Sequence, residues 1–142
     1  MNTSILCLDA GIVLRFVAYP DDQRIQEGWE SWQQQNIKLY APGLLYYEVT
    51  NVLYRYQRQG WMTEETIEAA LAAALALPIE LVNDSTLHLR ARALANQLRL
   101  PAAYDAHYLA LAERLEASLW TMDKRLYNSV QAANITGVKL LE

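Results

Sequence analysis

The strongest constraint on the fold is a short unbroken apolar run, Ile5-Leu6-Cys7-Leu8, that stops at Asp9. A strand with one wet face alternates apolar and polar residues. A run without alternation suits a strand buried on both faces, as in a parallel sheet covered by helices. The rest of the chain repeats the theme. Lys38 to Ala41 (stopped by Pro42-Gly43), Ile79 to Val82, Ser118 to Thr121 and Val138 to Leu141 are four further short strand candidates. Helical spacing fills the intervals. A short helix is expected from Gly11 to Val17. A second follows Pro20-Asp21-Asp22, where Ile25, Trp29 and Trp32 recur at i, i+4 and i+7. Leu45, Val49, Val52, Leu53 and Tyr56 mark a third helix, closed by Gly60. Thr63, with Glu64 and Glu65 in the first turn, opens an alanine-rich fourth that stops before Pro78. Asn83-Asp84 starts a fifth with Leu87, Ala91, Leu94, Ala95 and Leu98 on one face. A sixth runs from about Tyr104 to Leu115, and Asp123 heads a seventh toward Ala133. Short apolar strands separated by helices predict an α/β fold with a mostly parallel sheet. Ligands in such sheets bind beyond the carboxyl ends of the strands.

The 142 residues suit one domain, read as 1–142, with no linker, repeat or low-complexity tract. An apolar content of 53% supports a real core and excludes a disordered chain. One cysteine, Cys7, and two histidines, His88 and His107, exclude a disulfide framework and the common zinc sites. Cys7 reads as an inert core thiol and the histidines as surface or packing residues. The longest apolar run, Ala69 to Leu77, has nine residues against about 20 for a membrane span. The N-terminus lacks a basic segment, and Asp9 and Arg15 interrupt its apolar stretch, so no signal peptide is expected. The expectation is a soluble cytoplasmic protein. A net charge of −4 argues against a broad nonspecific nucleic-acid-binding face. Nine arginines against three lysines hint weakly at phosphate contacts.

Four acids fall where such a sheet would bind a ligand. Asp9 follows the first strand, and Asp123 the fourth. Glu48 and Asp105 lie near helix starts that can face the same edge. Glu48 is out of place by composition: Leu45 at i−3 and Val52 at i+4 put it on or beside a buried stripe. Asp105 sits likewise among Ala, Tyr and Leu. Two carboxylates about 5 Å apart repel by roughly 3 kcal/mol at an effective dielectric near 20. Four converging carboxylates therefore take up protons or bind a hard divalent cation through oxygen. Mg2+ or Mn2+ fits a carboxylate site without Cys or His, and such a cation serves phosphoryl chemistry.

Plainer readings stand beside this one. Asp9, Asp105 and Asp123 can each be a helix cap. Glu48 can snorkel or pair with Arg55. Asp21, Asp22, Glu64, Glu65 and Asp84 read as caps and first-turn acids. Arg15, Arg55, Lys124 and Arg125 lie close in sequence to the four acids, and either hold phosphates or neutralise the acids. Tyr46, Tyr47, Tyr54 and Tyr104 can stack on bases, although packing is the favoured reading.

Together, a hydrophobic strand ending in Asp9, Glu48-Val-Thr-Asn51-Val-Leu53, Tyr104-Asp105-Ala106 and Thr121-Met-Asp123-Lys-Arg-Leu126 resemble the PIN domain family, and within it the VapC-type toxins. The resemblance runs over essentially the whole chain, and four motifs in register make it fairly specific. It implies a three-layer α/β/α fold and a Mg2+- or Mn2+-dependent endoribonuclease that hydrolyses RNA phosphodiesters. Asp9, Glu48, Asp105 and Asp123 take the acidic, metal-binding positions. Asn51 matches a supporting polar position, and Thr121 the hydroxyl residue before the last acid. One departure stands out: many members carry Ser or Thr where this chain has Gly11, which puts a substrate or metal-water contact in doubt. The family further implies a homodimer and a small antitoxin partner, often with a DNA-binding part.

Two other classes compete. One is a PIN-like protein-binding module with little or no nuclease activity. The other is a phosphohydrolase or acceptor domain using a strand-end Asp as nucleophile, disfavoured because Asp9-Ala10-Gly11 lacks the second acid of an Asp-x-Asp motif. The intact acid quartet favours the nuclease.

Overall fold

The computed structural model describes residues 3–142. Strand β1 (Ile5–Leu8) leads through α1 (Ala10–Ala18) and α2 (Gln23–Gln34) to β2 (Lys38–Pro42). Helices α3 (Leu44–Arg58) and α4 (Glu64–Leu75) precede β3 (Ile79–Val82). Helices α5 (Ser85–Leu98) and α6 (Tyr104–Leu115) precede β4 (Ser118–Thr121), and α7 (Lys124–Ala132) precedes β5 (Val138–Leu140). The five strands form one sheet in the order β3-β2-β1-β4-β5, and every pairing is parallel. The expected elements all appear, with ends shifted by a residue or two. The second strand runs on through Pro42, which a strand end tolerates because no further ladder N–H is needed there.

Helix placement follows from the strand order. Parallel crossovers are right-handed, so the steps β1→β2→β3 put α1 to α4 on one face. The return from β3 past β1 to β4 puts α5 and α6 on the other, which α7 joins between β4 and β5. The contacts agree: α1 packs on α2, α3 and α4, whereas α5 packs on α6 and α6 on β1, β2 and β4. The result is three layers, α/β/α.

Leu6, Cys7 and Leu8 are all buried, as an unalternating strand between two helical layers requires. Burial pushes the Cys7 thiol up to about 12, so it stays protonated and inert. Leu45, Val49 and Leu53 of α3 and Leu109 and Leu111 of α6 bury the inner faces of the two layers. Each contributes about 1.5–3 kcal/mol on leaving water. On α2, Trp29 stacks on Phe16 at 4.3 Å between ring centroids, and Trp32 meets Trp120 of β4 edge-on at 5.5 Å. These contacts fasten α2 to α1 and the sheet.

The direction of travel reverses at β1, with β2 on one side and β4 on the other. That is the topological switch point, where open α/β sheets form a crevice at the carboxyl ends of their strands. Asp9 stands immediately beyond β1, and Asp123 two residues beyond β4.

Candidate active site

A cleft of about 370 Å3 opens at this switch point, lined by Asp9, Gly11, Glu48, Asp105, Tyr108 and Asp123 among others. All four sequence-predicted acids face it. They arrive from both helical layers and from two strand ends, so only the folded topology brings them together.

Asp9 is almost fully buried. Its Oδ1 accepts the Ile12 N–H at 3.1 Å, and its Oδ2 accepts the Thr121 hydroxyl. It therefore both caps α1 and lines the cleft. Burial, above all, drives its pKa up to about 7, with Asp105 and Asp123 adding charge repulsion and the two hydrogen bonds opposing it. Asp123 also has both roles: its Oδ1 caps α7 through the Arg125 and Leu126 N–H groups at 2.9 and 3.2 Å. Asp105 is no cap. The N-cap of α6 is Ala103, and Asp105 lies one residue into the helix, half-buried, its pKa raised first by burial and then by Asp123.

Glu48 is half-buried, and no ion pair joins it to Arg55 among the described residues. Its partner is Tyr108, whose hydroxyl donates to Glu48 Oε1 at 2.6 Å. Burial raises the Glu48 pKa, the Tyr108 hydrogen bond opposes this, and Asp105 adds to it. Tyr108 is buried in α6 and was missed in the sequence, where it reads as one more core aromatic. Its one signal is its place one turn after Asp105, on the same helix face.

Thr121, the hydroxyl residue of the motif, is fully buried between Asp9 and Asp123. Its Oγ1 donates to Asp9 and accepts the Asp123 N–H at 3.0 Å, tying the ends of β1 and β4 together. Asn51 is not in the acidic cleft. It lies exposed, in a neighbouring groove along α3. Three residues along a helix turn it about 60° away from Glu48.

The bases divide. Arg15 and Lys124 line a second groove, with Arg24, that meets the acidic cleft at Gly11 and Met122. Arg15 is tied to Asp22 at 2.8 Å, as is Arg24 at 3.2 Å, and these guanidiniums hold the Asp22 carboxyl well below the usual range. Arg55 and Arg15 each oppose, by their charge, the burial that raises the Tyr56 pKa, and Arg125 is exposed on α7. Neither Arg55 nor Arg125 lines the acidic cleft. A Cβ at Gly11 would meet only Asp9 Oδ1, at an ordinary 3.5 Å, so the backbone there does not demand glycine on steric grounds.

The histidines link α5 to α6: His107 Nδ1 donates to the Ala103 carbonyl at 2.8 Å, which leaves its Nε2 to accept from His88 Nδ1 at 2.9 Å. Core packing fails for three of the four tyrosines. Tyr47, Tyr54 and Tyr104 are 79%, 55% and 62% exposed. Tyr46 does pack, donating to the Ala74 carbonyl at 2.8 Å. Another cleft, of about 560 Å3, runs between α5, α6 and β5, bordered by the Arg90–Glu113 pair, and holds none of the four acids.

The donor chemistry fits a hard divalent cation. Every titratable group facing the cleft offers oxygen, and Asp105 and Asp123 add charge repulsion to the burial that raises Asp9. Among the described residues, no three His, Cys, Asp or Glu side chains stand in a ready-made cage.

Comparison with known proteins agrees with this fold. Among curated proteins none matches the sequence. Several solved structures share the fold. A toxin–antitoxin complex from Klebsiella pneumoniae aligns at TM-score 0.66 and 20% identity, covering 96% of this chain and 98% of that one. PAE2754 from Pyrobaculum aerophilum aligns at 0.72 and 21%, covering 98% and 91%. VapBC2 from Rickettsia felis, bound to a DNA fragment from their promoter, aligns at 0.72 and 12%, covering 97% and 99%. The sequence itself matches the PIN domain over residues 6–130, from β1 into α7 and through all four acids of the cleft. The chain belongs to the PIN domain family.

Proposed function

We propose that this chain is a metal-dependent endoribonuclease acting as the toxin of a toxin–antitoxin pair. The observation that carries the reading is the convergence of Asp9, Glu48, Asp105 and Asp123 on one cleft at the switch point of a PIN fold. These four residues would hold Mg2+ or Mn2+. When bound, the cation supplies a Lewis acid that activates water and stabilises the leaving oxygen of a phosphodiester. The chain's own residues do the rest. Thr121 fixes Asp9 and Asp123 relative to each other, and Tyr108 fixes Glu48. Arg15 and Lys124 line the groove that continues the cleft, where they can take the phosphates beside the scissile bond. Arg55 and Arg125, both exposed, add positive charge without lining the cleft.

The partner side of the reading rests on the fold shared with the Klebsiella and Rickettsia complexes. A cognate antitoxin silences the enzyme, the active form is a homodimer, and both work in the cytoplasm. No helix among the described residues is long and apolar enough to cross a membrane.

The test is cleavage of RNA by the purified chain with Mg2+ or Mn2+, with and without EDTA, beside Asp9→Asn. Cleavage that needs the cation and vanishes in the variant supports the reading. Cleavage undiminished by excess chelator refutes the mechanism, and full activity of the variant refutes the role of Asp9.

A further inference from the structure

His88 and His107 are the only two histidines of the chain, 19 residues apart in sequence, and the fold brings them face to face between α5 and α6. Neither lines the acidic cleft. His107 is half-buried and His88 exposed. His88 Nδ1 stands 2.9 Å from His107 Nε2, and the rings meet at 70° with centroids 5.0 Å apart.

Three observations make the pair more than a packing contact. His107 Nδ1 donates to the Ala103 carbonyl at 2.8 Å, which fixes the ring and leaves the Nε2 lone pair directed at His88. A metal-ligating histidine almost always has its other nitrogen held in this way. The spacing also fits. Nitrogens 2.9 Å apart, each about 2.0–2.1 Å from one ion, subtend about 90° at it, whereas a tetrahedral ion needs them about 3.3 Å apart. An angle near 90° suits the square-planar and tetragonal geometries of Cu2+ and Ni2+. Finally, Glu48 feels the charge of His107, so the negative charge of the cleft reaches the pair and favours a cation there.

We infer that His88 and His107 form a second metal site, a two-imidazole chelate for a borderline transition-metal ion, Cu2+ or Ni2+ ahead of Zn2+. The ion takes the place of the shared proton. His88 moves that proton from Nδ1 to its own Nε2, so both ligands stay neutral imidazoles and no net proton leaves. The exposed His88 ring turns to aim Nδ1 at the ion, and water fills the remaining positions. A closed four-ligand zinc centre is a different arrangement, which two histidines cannot build. Hard Mg2+ and Mn2+ prefer the oxygens of the acidic cleft, so the two sites sort cations by donor type. Ala103 and His107 flank Asp105 in sequence. An ion that joins His107 to α5 therefore fastens the segment that presents this acid. The site stands whether or not the cleft cleaves RNA.

The test is a titration of the untagged chain with Cu2+, read by electron paramagnetic resonance with spin-echo modulation, which counts imidazole ligands. The expected result is one ion per chain coupled to two imidazoles, and the same signal in Asp9→Asn. His88→Gln and His107→Gln should each lose one imidazole and bind about 10-fold or more weakly, because a second ligand held in reach multiplies affinity. His88 is exposed, so His88→Gln decides the matter even if His107→Gln fails to fold. Ni2+ should raise the Tm of wild type more than that of His88→Gln, since an ion bound only by the folded chain stabilises it by mass action. Mg2+ should not distinguish the two. Oxygen-only or single-imidazole coordination at one equivalent of Cu2+ overturns the inference, as does equal Cu2+ affinity in wild type and His88→Gln. A two-imidazole signal that vanishes on dilution, with a dimer forming as Cu2+ is added, would draw one histidine from each of two chains and overturn the chelate.

Discussion

The Thr121 hydroxyl donates to Asp9 Oδ2 and accepts the Asp123 N–H, so one buried side chain at the end of β4 sets the spacing of two site acids. The switch point alone places Asp9 and Asp123 on neighbouring strand ends. Thr121 turns that neighbourhood into a fixed geometry.

Thr121→Val keeps the shape and removes the hydroxyl. Asp9 then loses a hydrogen bond that holds its pKa down, and the Asp123 N–H loses its acceptor. A buried group left unpaired costs about 1–3 kcal/mol. Residues that orient metal ligands typically matter about 10–100-fold in affinity. Thr121→Val should therefore melt lower and bind Mn2+ about 10-fold or more weakly by calorimetry. Thr121→Ser retains the hydroxyl and should sit near wild type. Equal Mn2+ affinity in the Val and Ser variants would remove Thr121 from the site.

The raised Asp9 pKa makes the stability of the metal-free protein depend on pH in an unusual sense. With a folded pKa of about 7 against 3.8, the folded state binds more protons than the unfolded state between those values. Stability from this group is full below about pH 4 and is lost as pH rises through 7. The gap of about 3 units corresponds to roughly 4 kcal/mol. Glu48 and Asp105 are raised too and act in the same direction. Asp22, Asp84 and Glu113 are lowered and act oppositely, but in the more acidic window below their ordinary values. In chelator, Tm should therefore fall between pH 5 and pH 7.5 for wild type. The fall should be much smaller for Asp9→Asn and shrink when Mg2+ is added. A Tm that climbs steadily over that range would contradict the burial of an uncompensated carboxylate at Asp9.

Tyr108→Phe isolates the hold on Glu48. The ring stays buried and only the hydroxyl goes, removing a hydrogen bond to a carboxylate that is worth about 1.5–3 kcal/mol. With Oε1 released, Glu48 regains rotamer freedom. The expected outcome is a modestly lower Tm and Mn2+ affinity reduced about 10-fold. A lower Tm with unchanged Mn2+ affinity would show that Tyr108 serves packing alone.

These residues also show how far the sequence could be read. The unalternating run before Asp9 demanded a doubly covered strand, and α/β topology then put Asp9 and Asp123 at the carboxyl edge. Glu48 was legible because an acid within an apolar helical stripe is not a cap. Tyr108 was not, because its partner lies 60 residues away and a tyrosine in an apolar helix looks like core, which it also is. Asn51 matched a motif, but the helical phase carries it into the next groove. The pairing of Arg15 with Asp22 was hidden for a different reason: it depends on how the chain turns between α1 and α2. The exposure of Tyr47, Tyr54 and Tyr104 was equally hidden, since periodicity marks which faces are apolar and not which of them remain uncovered.

Asp105 separates a functional acid from a structural one most cleanly. It does not cap α6, so Asp105→Ala removes no capping bond. As a first-turn acid it gains at most about 0.3–1 kcal/mol from the helix dipole. Burial and Asp123 nevertheless raise its pKa, so its surroundings favour the neutral form overall. Asp105→Asn, of the same shape and uncharged, should then stabilise the metal-free protein while abolishing RNA cleavage. A rise in Tm of about 2–5 °C is the scale of a ~1 kcal/mol gain in a chain of this size. Asp105→Ala should melt no lower than wild type. The measurement is a set of melts in chelator at pH 7.5, repeated with Mg2+, where wild type should gain Tm and both variants gain less. An Ala variant that melts below wild type in chelator would mean the carboxylate stabilises the fold, and a site built on repulsion between Asp105 and its neighbours would have to be abandoned.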